Sequence, residues 1–275
     1  MCLYFLLFNE KYPFIFIGNR EENYERPTDQ ASFWHNDANI LAGKDRLYDG
    51  TWVGITKLGK FAALTNSLKE LNSTNEFQKR GSLVSDFLSG TDDAYSYLKN
   101  KIIPFAKNYK PFNLIAGTLK GSFWYYSNVN SNMSNPILLN KETNKIYSLS
   151  NWVLDTSWPR AEYGKKKIET TILNDQSNLI ENLFEIMCDE TNLMESPLIS
   201  TFDKLSSRIF INDETFGTRS TTIIILDKNG LLRFIERTYD KNNRTRGKAR
   251  ISLRSVSSAY FKVFYIFKQY LYCRT

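Results

Sequence analysis

The chain has 275 residues, with 42% hydrophobic, 24% charged and 15% aromatic side chains, so it has ample material for a buried core. Its net charge of +7 is uneven: residues 241–275 hold nine basic groups and no acidic one, and removing those nine from 36 leaves 27 basic against 29 acidic. A near-neutral body speaks against a nucleic-acid-binding domain, and the absence of any run of eighteen apolar residues speaks against an ordinary membrane span.

The first element is a hairpin. Leu3 to Phe8 is an apolar run, Asn9-Glu10-Lys11 is a turn, and Phe14 to Ile17 is a second run ending in Gly18-Asn19-Arg20-Glu21-Glu22. Antiparallel pairing would return Asn19-Arg20-Glu21 to the start of the first strand, beside Cys2. Removal of Met1 would leave Cys2 with a free α-amine. With a reference pKa of about 8, that amine can act as base for its own thiol. A neighbouring Arg20 would stabilise a thiolate.

Cys2, Cys188 and Cys273 make no spaced pair. The expectation is neither a disulfide framework nor a zinc site, but a reduced, cytoplasmic protein. The opening run has no basic leader and breaks at Asn9, unlike a signal peptide. His35 is the only histidine, which weakens any His-based triad or multi-histidine metal site.

Residues 23–47 read as an ordered loop over one end of a sheet, carrying Phe33-Trp34 and His35. Trp52 to Thr56 and Phe61 to Asn66 form a second hairpin turning at Gly59, and its second strand delivers Asn66 at its end. Ser73 to Glu76 is a polar linker. Arg80 to Leu88 and Asp92 to Phe105 have helical spacing, each with one apolar side. Phe112 to Gly117 and Ser122 to Tyr126 are strands, and residues 128–135 are a polar loop. Ile137 to Leu139 and Lys145 to Leu149 are strands, the latter ending in Ser150-Asn151.

Arg160 to Leu173 and Asn178 to Met187 read as helices, and residues 189–215 as irregular. Arg219 opens a strong strand that turns at Asp227-Lys228-Asn229-Gly230 and returns through Leu231 to Arg237. Ala249 to Leu253 is a last strand. Tyr260 to Leu271 fits the i, i+3, i+4, i+7 template and reads as a basic amphipathic helix. Strands, helices, strands, helices and strands in that order suit a layered α+β sandwich better than an alternating parallel sheet.

An ordered set of motifs then resembles the NRDE family, also called the transport and Golgi organisation protein 2 family. They are Cys2, Asn19-Arg20-Glu21-Glu22, Glu25-Arg26-Pro27-Thr28, Phe33-Trp34, Gly50-Thr51-Trp52-Val53-Gly54 and Ala63-Leu64-Thr65-Asn66. Arg80-Gly81-Ser82, Phe112-Asn113-Leu114-Ile115, Leu149-Ser150-Asn151, Asp155 to Pro159 and Gly217 to Thr221 continue it. The resemblance covers residues 1–254 and leaves 255–275 as a basic amphipathic C-terminal helix or tail. It implies a four-layer αββα sandwich of the N-terminal-nucleophile-hydrolase type. It also implies a role in intracellular haem and lipid-linked homeostasis. Glu21 stands where the family's name has aspartate, one methylene further out.

Two functions follow as expectations. In one, the protein binds and carries haem or a similar amphipathic small molecule, with His35 or Cys2 as iron ligand. In the other it is an N-terminal-cysteine amidohydrolase, more distantly similar to choloylglycine hydrolases and penicillin V acylases. Cys2 would then be the nucleophile, Arg20 and Glu21 would orient its amine and thiol, and Asn66 and Asn151 would donate to the oxyanion. Arg219 would hold a carboxylate or polarise the site. For the basic tail two readings stand side by side: its aromatic face packs on the sandwich with the lysines solvated, or it lies on an anionic membrane surface.

Overall fold

A computed structural model describes residues 2–67, 77–129, 133–141, 145–174, 177–193, 207–242, 245–255 and 260–270. The polar linker expected at Ser73 to Glu76, parts of the expected loops at 128–135 and 189–215, and Cys273 lie outside the described residues.

Two seven-stranded antiparallel sheets stack face to face. The first has the order β10-β1-β2-β11-β12-β13-β14. Its strands are β1 (Cys2–Leu7), β2 (Phe14–Asn23), β10 (Ile146–Leu149), β11 (Phe216–Leu226), β12 (Leu231–Tyr239), β13 (Thr245–Ser255) and β14 (Phe261–Tyr270). The second is a meander, β3 to β9 in sequence order: β3 (Thr28–Phe33), β4 (Ile40–Asp45), β5 (Val53–Thr56), β6 (Lys60–Asn66), β7 (Phe112–Thr118), β8 (Phe123–Ser127) and β9 (Ile137–Leu139).

The apolar stretches of β1 (Leu3 to Leu7), β2 (Phe14 to Ile17) and β11 (Ile223 to Leu226) do not alternate because the strands are covered there on both faces. Tyr4, Leu6, Phe14 and Phe16 point between the sheets, where they meet Phe61, Ile115 and Phe123 of the second sheet. Leu3, Phe5, Ile15 and Ile17 point the other way, onto α3 (Pro159–Asn174) and α4 (Leu179–Met187). The outer face of the second sheet is covered by α1 (Ser82–Ser89) and by a helical run that starts as α2 (Ala94–Ser96). That run continues as a π turn (Tyr97–Ile102) and a 3-10 turn (Ile103–Asn108). Three cores thus alternate with two sheets, and the fold is a four-layer αββα sandwich. No helix among the described residues is long and apolar enough to cross a membrane.

Lys60 ties the layers together. Its Nζ donates to the carbonyls of Phe87, Gly90 and Asp92 at 3.1, 2.7 and 2.9 Å, so the end of α1 is capped by a cation from β6.

Two expectations are corrected. Residues 23–47 are no loop: they contain β3 and β4, paired from Thr28↔Asp45 to Phe33↔Leu41 across a bulge between Asp29 and Ser32. The bulge breaks the alternation, and polar residues stand at both exposed (Asp29) and buried (Gln30) positions of β3, so neither period shows. The segment after Tyr260 is no helix: β14 pairs with β13 from Ser255↔Phe261 to Gly247↔Tyr270. Its density of aromatic and β-branched residues fits both templates over ten positions. The open edge of β13 selects the strand.

Candidate active site

Cys2 lies directly opposite Arg20 in the β1–β2 register. Residues directly opposite share a face, so both side chains point between the sheets, in line with Tyr4 and Phe16. Both are buried. The Arg20 guanidinium stacks 4.3 Å over the Trp52 ring and donates to Thr28 Oγ1 at 3.1 Å and Asp45 Oδ2 at 3.4 Å. Arg26 Nε donates to the same Asp45 oxygen at 2.9 Å. The Tyr4 hydroxyl donates to Leu64 O at 3.0 Å. Burial, followed by the charge of and the hydrogen bond with Cys2, pushes its phenol well above the ordinary tyrosine range.

A cavity of about 670 Å³ opens at this end of the sandwich, with Cys2, Arg20, Trp52, Asn66 and Arg80 in its wall. Asn66 ends β6, as its sequence position suggested. Arg80 Nη1 donates to Pro111 O at 2.9 Å; burial lowers its pKa, and the nearby Cys2 opposes that shift. Asn151 follows β10 and is buried. Its Nδ2 donates to Asn66 O at 3.1 Å, while Ser67 Oγ donates to Asn151 O at 3.0 Å and Thr65 Oγ1 to Ser150 O at 2.8 Å. These bonds clip the end of β10, in one sheet, to the end of β6, in the other.

Alternation along β2 divides the Asn19-Arg20-Glu21-Glu22 run. Arg20, Glu21 and Glu22 all border the cavity with Cys2, but the Asn19 and Glu21 side chains take their hydrogen bonds from groups on the helix side. Asn19 Nδ2 donates to Met187 O and Ile209 O, both at 2.9 Å, and its Oδ1 accepts from Thr221 Oγ1 at 2.6 Å. Glu21 meets Arg160, the second residue of α3, with both side chains at 0% exposure and Nη1–Oε1 at 2.7 Å. Arg160 Nη2 also donates to Cys2 O at 3.3 Å, Ser150 Oγ at 2.7 Å and Asn151 Oδ1 at 3.2 Å.

Glu21 is therefore linked to Cys2 through Arg160, which bonds both the Glu21 carboxylate and the Cys2 carbonyl. Sequence reasoning missed Arg160. One signal was available: a cation in the first turn of a helix opposes the helix dipole, so Pro159-Arg160 points to a buried anionic partner.

Arg219 sits in the bulge between Thr218 and Ser220, where β11 pairs with Glu21 and Arg20 of β2. Its Nη1 donates to Asn23 O at 2.7 Å and Arg26 O at 3.2 Å, clamping the chain as it leaves β2. It lines a second cavity, of about 910 Å³, which shares Arg20 and Trp52 with the first. His35 is exposed on the rim of that second cavity. Among the described residues, no cluster of His, Cys, Asp and Glu is able to hold a metal ion.

Glu236 lies in the wall of the second cavity at 1% exposure, accepting from Ala31 N at 2.6 Å and Thr222 Oγ1 at 3.3 Å. Burial raises its pKa to about 7, against those two donors and the charges of Arg20 and Lys268. A raised carboxyl favours the folded state fully below its ordinary value of 4.5, and the contribution disappears as pH rises through about 7. Glu236→Gln is expected to stabilise the protein by about 1–3 kcal/mol at pH 8, allowing for weakened bonds to Ala31 and Thr222. The stability difference between variant and wild type, measured by denaturant titration, should shrink as pH falls towards 5. A pH-independent difference would place the charged form of Glu236 in solvent.

The family model "Transport and Golgi organisation 2" matches residues 1–241. The mouse "Transport and Golgi organization 2 homolog" is 34% identical over 263 residues, covering 86% of this chain and 93% of the relative. The human homolog is 34% identical over 264 residues, covering 86% and 93%. The Drosophila melanogaster protein is 23% identical over 252 residues, covering 82% and 86%. Among solved structures, a Caenorhabditis elegans N-acylethanolamine-hydrolyzing acid amidase ortholog has a TM-score of 0.40 at 12% identity, covering 82% of this chain and 92% of that one. A variant of conjugated bile acid hydrolase from Clostridium perfringens has a TM-score of 0.49 at 10% identity, covering 99% of each.

Proposed function

This chain belongs to the transport and Golgi organisation 2 family, and from that premise we propose that it is an N-terminal-cysteine hydrolase of a non-peptide carbon–nitrogen (amide) bond. The observation that carries the reading is the pairing of Cys2 with Arg20 on the wall of a cavity that also holds Asn66 and Arg80. A thiol, two guanidiniums and a carboxamide share the wall of one pocket there, the thiol at the end of the inter-sheet core.

The chemistry starts once Met1 is removed. The α-amine of Cys2 takes the thiol proton, and Sγ attacks the amide carbonyl carbon. The Asn66 side chain donates to the oxygen as it gains charge. The ammonium proton passes to the leaving nitrogen, the C–N bond breaks, and the amine departs from a Cys2 thioester. Water, deprotonated by the same amine, then attacks the thioester carbonyl, releasing the acid and restoring the thiol. Arg20 and Arg80 supply positive charge beside the sulfur. Asn151, Glu21 and Arg160 position the strand ends on which these groups stand.

The test has two parts. Intact-mass analysis of the purified protein should show the loss of one methionine. Protein so processed should release nitroaniline from an N-acyl p-nitroanilide, and prior alkylation with iodoacetamide should stop the release. Processed protein that hydrolyses no member of an acyl-chain series, from acetyl to long-chain, would remove the assignment.

Haem carriage is the second reading, and the cavity of about 910 Å³ favours it, with Phe33, Trp34 and Trp52 in the wall and His35 on the rim. Its measure is an absorbance titration with haemin. A Soret shift present in wild type and lost in His35→Ala supports it; no shift at micromolar protein removes it.

A further inference from the structure

Strand β14 leaves the sandwich partway along its length. Phe261 is 1% exposed, and Val263 packs on the inter-sheet core. A bulge then shifts the register: Val263 pairs with Leu253 and Tyr265 with Ser252, which leaves Phe264 between them. From there four consecutive apolar residues stand in solvent: Phe264 at 65%, Tyr265 at 49%, Ile266 at 55% and Phe267 at 41% exposure.

The four do not share one face. Tyr265 and Phe267 border a groove beside Ile180 on the helix side. Ile266 pairs with Ile251, whose side chain belongs to the inter-sheet core, so it points to the opposite side. Scattered apolar residues on a surface need no explanation, but a contiguous set on an open edge does.

Charge identifies the occupant. Arg250, Arg254 and Lys262 are exposed around this edge, and the Arg254 guanidinium lies 4.9 Å over the Phe264 ring. Residues 245–269 include no acidic side chain, and none of these three cations takes part in an ion pair among the described residues.

A second copy of β14 would bring like charges together, because every charge on the strand is positive. An added acidic strand would satisfy the open edge but leave the apolar side chains on both faces of β14 in water. A lipid surface covers both faces of a wedge at once and supplies the negative charge. We propose that the outer half of β14, Phe264 to Phe267, inserts edge-on into the headgroup layer of an anionic membrane, with Arg250, Arg254 and Lys262 held at the phosphates.

Co-sedimentation of the full chain tests this, with vesicles of phosphatidylcholine alone and of phosphatidylcholine mixed with phosphatidylserine. The protein should pellet with the mixed vesicles only and be released as salt rises. Arg254→Gln with Lys262→Gln should weaken partitioning about thirtyfold, from roughly one tenfold step per 1.4 kcal/mol and about 1 kcal/mol per cation. Phe264→Ser with Phe267→Ser should weaken it at least about tenfold even at low salt. Both pairs are exposed, so circular dichroism should report unchanged folding for each.

The proposal fails if the wild type ignores mixed vesicles or pellets equally with neutral ones. It fails also if only the charge variants lose binding, since insertion requires the aromatics. A wild-type dimer that the Phe264→Ser, Phe267→Ser protein does not form would assign the edge to a second copy instead.

Discussion

Cys2→Ala is expected to lower amide turnover by about three orders of magnitude or more, to the residual level left when a nucleophile is deleted. The fold should survive. Cys2 is a small, mostly buried side chain at the start of β1, and its neighbours Tyr4 and Arg20 have other partners, namely Leu64 O for one and Thr28, Asp45 and Trp52 for the other. Loss of the sulfur should therefore cost about 1 kcal/mol or less. Cys2→Ser should retain a small activity, since the hydroxyl has the right position but a far weaker nucleophile at neutral pH. The check is initial-rate kinetics beside a denaturation curve for each variant. Full turnover in a folded Cys2→Ala protein would eliminate the nucleophile and leave Arg20, Asn66 and Arg80 as parts of a binding site.

The second large effect concerns stability. Arg160→Leu is expected to destabilise the protein by about 3–5 kcal/mol, because the Glu21 carboxylate, its side chain at 0% exposure, would lose the neutralising guanidinium of Arg160. Ser150 Oγ, Asn151 Oδ1 and the carbonyls of Cys2 and Arg208 would each lose a donor as well. Replacing both members of the pair, Glu21→Leu with Arg160→Leu, should recover much of that loss, since an apolar pair of similar volume carries no desolvation penalty. Urea titrations of the wild type, both single variants and the double variant form the cycle that separates the pair's coupling from packing. Additive losses would mean that Glu21 and Arg160 act independently. Because Arg160 also holds Cys2 O and Asn151, the conservative variant Arg160→Lys is informative in the kinetics. With one point charge in place of a planar fork, it should lower kcat more than it raises KM.

Glu21 shows how the site depends on more than the order of residues. Read along the chain, Arg20 and Glu21 are neighbours of one function. In the sheet successive side chains turn to opposite layers, and the Glu21 carboxylate is held in the pair with Arg160. A fully buried carboxylate on the inter-sheet face is Glu236, more than two hundred residues away in sequence and invisible to any motif that starts at Cys2.

What the sequence determined by itself was set by local, periodic chemistry. The apolar runs of β1, β2, β5 to β8 and β11, the turns at Gly59 and Gly230, both at positive φ, and the amphipathic stripes of α1 and α4 all appear in composition at spacings of two or three to four residues. The juxtaposition of Cys2 and Arg20 follows from one hairpin and was equally legible. Tertiary structure alone decided the remainder. Only the stacked sheets bring β6 and β10 together so that Asn66 and Asn151 meet, and only the β11 bulge turns Arg219 towards the carbonyls of Asn23 and Arg26. Only burial beneath α3 makes Arg160 the hub of the helix side. The last strand belongs with these: over Phe261 to Tyr270 the residues satisfy both periods, and the deciding term is a row of backbone donors and acceptors along β13, which a local pattern does not contain.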